Sequence, residues 1–149
     1  MHRNLTFALV AATIALLTSC SPSRDDPPNE AKQEAVATIA WIRGEGRAAV
    51  AVHDTARSLI SAEITVSSCD AAVDALDRTS TPVAVVETIT KVPNADLRAA
   101  LEEEQGLFRA VVSDTTRGRP SEPDAGVDQL RIVADAVTAL IRHLEELAR

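Results

Sequence analysis

The rhythm of hydrophobic positions changes twice along this chain. Leu5 to Leu17 is an almost unbroken apolar run, and residues 21–29, Ser-Pro-Ser-Arg-Asp-Asp-Pro-Pro-Asn, carry no apolar side chain beyond proline. From Glu30 onward apolar residues recur at three and four positions, the spacing of an amphipathic α-helix. Val36, Ile39, Ala40 and Arg43 form the first stripe, with Lys32, Gln33 and Glu34 on the polar side. Arg43-Gly44-Glu45-Gly46-Arg47 interrupts it, and a second stripe follows through Val52, Ala56, Leu59 and Ile60. On one straight helix Val36 and Val52 would point roughly 160° apart, so the glycine pair is expected to bend the chain or reverse it.

Further along, β-branched Ile64-Thr65-Val66 is expected to fray the second helix into a turn, with Ser67 or Ser68 capping a short helix over 69–77. Thr81 and Pro82 are a start signal, and over 83–92 a helix is preferred to a strand because Pro82, Val86, Ile89 and Val92 fit helical spacing. Asn94 is placed to cap a longer helix to about Thr116. Its apolar face is Leu97, Leu101, Phe108 and Val111, with Glu102 and Glu103 outward and Glu104 at the boundary. Gly118 sits where a C-cap belongs. The last segment, 124–147, has the clearest pattern: Leu130, Ala134, Val137, Ile141, Leu144 and Ala148, widened by Val133, Leu140 and Leu147. The expected fold is all-α, a compact antiparallel bundle of four or five helices over residues 30–149.

The opening segment reads as a leader. Arg3 supplies a positive start, the apolar run is shorter than the roughly 18 to 20 residues a membrane span needs, and polar Ser, Cys, Pro and Arg follow it. Leu17-Thr18-Ser19-Cys20 resembles the lipobox of bacterial lipoproteins. The resemblance implies cleavage after residue 19, a lipid (diacylglyceryl, with palmitate-type chains) on the sulfur of Cys20, and attachment to the extracytoplasmic face of the cell envelope. It covers only the start of the chain, which thus divides into a signal peptide (1–19), a lipidated Cys with flexible tether (20–29) and a folded body (30–149). An Asp directly after the Cys, which in Gram-negative lipoproteins resembles an inner-membrane retention signal, is replaced here by Ser21.

Composition narrows the class of partner. The net charge is −7, and loss of Arg3 with the leader makes it one unit more negative. An acidic body repels nucleic acid and anionic bilayers. With Phe7 in the leader and no tyrosine, Trp41 and Phe108 are the aromatics of the body, too few for the stacking that single-stranded nucleic acid requires. A lipid on Cys20 leaves Cys69 unpaired in an oxidising compartment, and burial is its expected fate.

Candidate chemistry is sparse. His53 and His143 are the histidines of the body. His143 and Glu146 share a helix face and could supply two metal ligands, but a stable site needs third and fourth partners. Val50 and Leu140, three residues before the histidines, exclude the Glu-x-x-His pairs of di-iron bundles. Solvent-facing imidazole near a helix C-terminus is expected instead, with no metal or cofactor. Asp70, Asp74 and Asp77 line one helix face, read as solvated, and Glu102-Glu103-Glu104 is weaker still as a site. The Arg43–Arg47 turn could offer backbone N–H groups and two guanidiniums to an anion, but it lacks the glycine pattern of nucleotide loops, and a kink is the preferred reading. Trp41 points about 140° from the Val36 stripe, so it either packs under another helix, the favoured reading, or stands exposed as an anchor. Trp41, Arg43 and Arg47 are therefore the candidate interaction residues. No catalytic motif occurs, and a hidden triad would have to use His53 or His143, neither with an obvious orienting partner. These features predict a non-catalytic, lipid-anchored interaction module whose partner is another envelope protein. The alternative is an envelope-tethered carrier of a small ligand or metal.

Overall fold

The computed structural model of the chain describes residues 27–78, 82–118 and 123–149. Within them each segment with three-and-four spacing is a separate helix: α1 (Pro27–Arg43), α2 (Arg47–Ser61), α3 (Val66–Asp77), α4 (Pro82–Ile89), α5 (Ala95–Thr116) and α6 (Pro123–Leu147). The fold is an all-α helical bundle, with no strand among the described residues. The described residues form six helices, one for each segment read as helical, where the bundle was expected to hold four or five. The stretch over 83–92, read as helix in preference to strand, is α4, a helix that stops at Ile89, three residues short of the expected end.

Local chemistry explains the boundaries. The first helix begins at Pro27, inside the stretch read as tether to residue 29, because a helix's first turn has no intrahelical partners for its N–H groups and tolerates proline. It is Thr65, in the stretch expected to fray, that caps α3: its hydroxyl accepts from Ser68 N at 3.1 Å while Ser68 Oγ accepts from Thr65 N at 2.9 Å. This reciprocal capping box brings Val66 to Ser68 into the helix, ahead of the expected start at 69. Asn94 caps α5 as predicted, its Oδ1 accepting from Leu97 N at 2.8 Å, and its amide also donates to Glu34 on α1. Asn94→Ala should therefore cost about 1–2 kcal/mol in chemical denaturation, toward the upper end for a cap because a tie between helices goes with it. Arg117 closes α5 and Gly118 follows at φ +61°, the left-handed position that glycine fills without strain. The expected cap Thr81 lies outside the described residues.

Long helices α5 and α6, joined by a short connection, pack along each other, and α6 also carries α1 and α2. The core runs through Ile39 and Trp41 of α1, Val52 and Leu59 of α2, Leu97, Leu101 and Phe108 of α5, and Leu130, Val137 and Leu144 of α6. Two helices sit rotated from the expected stripe. In α1 the buried residues are Ala35, Thr38, Ile39 and Trp41, while Val36 and Ala40 are exposed, because hiding the indole outweighs hiding a valine. In α4 the inward positions are Val85 and Ile89, with Val92 just beyond, and Val86 faces out. Leu147, placed in the α6 stripe, is exposed at the helix end.

The turn between α1 and α2 is built around Trp41. A Cβ on Gly46 would lie 2.6–2.8 Å from the indole carbons, so only glycine lets the backbone pass this close to the ring. Gly46 N also donates to Trp41 O at 2.7 Å.

Candidate functional site: a buried histidine–glutamate pair

Two residues given no chemical role by the sequence meet in the core. His53 lies on the inner face of α2 with Ala49, Val52, Ala56 and Leu59, and Glu104 lies on α5 between Leu101 and Phe108. They are 5% and 1% exposed, so Glu104 is well inside the boundary position expected of it and His53 is not solvent-facing. The Nδ1–H of His53 donates to the Glu104 carboxylate, with Nδ1 2.8 Å from Oε1 and 3.1 Å from Oε2. On the other side of the ring, Nε2 lies 3.2 Å from the hydroxyl of Thr138 on α6, and that hydroxyl also meets Ala134 O at 2.9 Å and a guanidinium nitrogen of Arg57. Carboxylate, imidazole, hydroxyl and guanidinium thus form one line from the core to the surface, tying α2, α5 and α6 together.

Proton counting shows what this line can do. The Thr138 hydroxyl has one proton, and its nearest acceptor is Ala134 O. With that proton given to the carbonyl, Oγ1 accepts from Arg57, and the buried carboxylate and imidazole satisfy each other through Nδ1. The arrangement has the order of an acid–base relay, carboxylate to imidazole to hydroxyl. Its terminal hydroxyl is held by three partners, and its imidazole is covered, so the line is suited to joining helices rather than to attacking a substrate.

The other candidate residues are not brought together. Trp41 is 7% exposed and packed, as favoured, which removes it from any docking surface. Arg43 and Arg47 are exposed, but the amides of Gly44, Gly46 and Arg47 in the turn between them donate to the backbone carbonyls of Ala40, Trp41 and Gly44. Those three N–H groups are spent on the kink itself. His143 and Glu146 are both exposed on α6, and among the described residues no group of three or more His, Cys, Asp or Glu side chains is placed to hold a metal ion. Asp70, Asp74 and Asp77 are exposed, as are Glu102 and Glu103. Leu17, Thr18, Ser19 and Cys20 lie outside the described residues. No described helix is long and apolar enough to cross a membrane. An open groove of about 380 Å³ runs between α2 and α3, lined by Asp54, Ser58, Leu59, Ala62, Ala72 and Ala75 among others.

Cys69 is fully buried, as expected, while Val73, one turn further along α3, faces outward. Burial pushes the Cys69 thiol above its ordinary range, opposed by a hydrogen bond with Thr115 and aided by the charge of Asp70. A thiol with a raised pKa in the folded state contributes stability below its unfolded pKa and loses it as pH rises through the folded value. Cys69 should accordingly react with an aromatic disulfide reagent at the unfolding rate at neutral pH; full labelling of the folded chain within minutes would contradict its burial.

The chain matches no protein-family model, no curated protein and no solved structure.

Proposed function

We propose that this chain is a bacterial envelope lipoprotein, held to the membrane by lipid on Cys20 and acting on the extracytoplasmic face as a non-catalytic protein-interaction module. The observation that carries the reading is Leu17-Thr18-Ser19-Cys20 at the end of a short apolar leader. The tether supports it: with α1 starting at Pro27, residues 20–26 can span at most about 25 Å, enough to hold a small bundle just clear of lipid headgroups. A non-catalytic role is supported by the occupied hydroxyl of Thr138 and the covered ring of His53. An acidic surface suits a protein partner better than nucleic acid.

Growth of expressing bacteria with radiolabelled palmitate tests the anchor. Label should enter the wild-type chain and be absent from Cys20→Ser; label retained by Cys20→Ser would overturn the assignment.

A further inference from the structure

The outward face of α6 carries a charge pattern that fits itself. At 100° per residue, Asp128, Arg131, Asp135, Arg142 and Glu146 fall within about 60° of arc, on the side opposite buried Leu130, Val137 and Leu144. All five are exposed. Read backwards from a centre between Thr138 and Ala139, the signs complement: Arg131 falls opposite Glu146, and Asp135 opposite Arg142. Asp128 falls opposite Arg149, just beyond the helix. A two-fold axis at that centre, perpendicular to the helix, sets the same flank of two copies edge to edge, so each of these pairs forms twice.

The adjoining strip carries exposed apolar residues. Ile132 is 62% exposed, more than any other large hydrophobic side chain among the described residues, and Ala139 lies near the middle of the face. Alanine at the crossing point lets two helices approach closely. In the same register His143 of the other copy lies about 3 Å along the axis from Ile132, on the same flank, within reach of covering it. The Asp128–Arg131 pair within the helix, at 2.6 Å, orients Arg131 along this flank without burying it.

We propose that α6 is a homodimer surface, docking antiparallel on α6 of a second copy of this chain about a two-fold axis between Thr138 and Ala139. The inference rests on α6 alone and stands whether or not Cys20 is lipidated. It goes beyond the interaction module proposed above by naming the partner.

Cross-linking of the full-length chain in expressing cells tests it. In this register residue 139 of each copy lies about 1.5 Å from the other along the axis, so Ala139→Cys should give a covalent dimer of twice the chain mass with a short membrane-permeant bismaleimide. The wild-type chain sets the background, and Glu103→Cys, exposed on α5, is the control position. Within the Ala139→Cys chain, Arg131→Glu turns two attractive pairs repulsive and should reduce the dimer on the order of tenfold, and adding Glu146→Arg should restore it. No dimer above background, equal cross-linking at position 103, a product of another mass, or a dimer insensitive to the charge exchange would each overturn the proposal.

Discussion

Glu104→Ala is expected to lower the free energy of unfolding by about 3–5 kcal/mol, seen as a fall in Tm on the order of 10 °C or more. The substitution removes the carboxylate that His53 Nδ1 meets, its sole partner among the described residues, in a site 5% exposed and leaves a cavity beside Phe108 and Leu101 on α5. Its size follows from asymmetry: making a buried pair gains little over apolar packing, whereas breaking one strands a polar or charged group without water. The companion experiment is the double replacement His53→Leu with Glu104→Leu. It should recover most of the loss, since nothing polar is then left unpaired, although the two new side chains must repack against Thr138 and Arg57. A Glu104→Ala protein within about 1 kcal/mol of wild type would show that the pair is not buried as described.

The second large effect belongs to Trp41. Trp41→Ala should cost about 3–5 kcal/mol, because the indole fills the space under the α1–α2 turn and is one of two aromatics in the core. Trp41→Phe should cost much less. Trp41 Nε1 is buried with no hydrogen-bond partner among the described residues, so losing that N–H removes an unsatisfied donor along with part of the ring. Gly46→Ala supplies an independent check, since its Cβ would meet the ring at 2.6–2.8 Å; it should cost about 1–3 kcal/mol in the wild type and far less in Trp41→Ala. Equal costs of Gly46→Ala in the two backgrounds would mean that the ring does not set the turn.

Which parts of this structure could be read from the chain follows from the range of the forces involved. Helix starts and stops depend on neighbours in sequence, and Asn94, Gly118 and the glycine pair acted where they stand. Thr65 was misjudged because β-branching argued against helix, while its hydroxyl, three residues from Ser68, argued for a cap, and the hydrogen bonds prevailed. The inward face of α1 depends on what lies across from it, so Val36 lost its place to Trp41 once a pocket for the indole formed. The His53–Glu104 pair left a signal in each half: His53 is in phase with Ala49 and Ala56, and Glu104 with Leu101 and Phe108, both polar residues within apolar stripes. Their partnership was not legible, because it rests on how α2 and α5 pack across 51 intervening steps of chain. No periodicity encodes that register.

The most direct test of the lipoprotein reading is the mass of the N-terminal peptide of the chain extracted from bacterial membranes. A lipidated mature protein predicts a peptide beginning at Cys20 and heavier by a diacylglyceryl group, with residues 1–19 absent. A peptide beginning at Met1, or one beginning at Cys20 or Ser21 without added lipid, would contradict it.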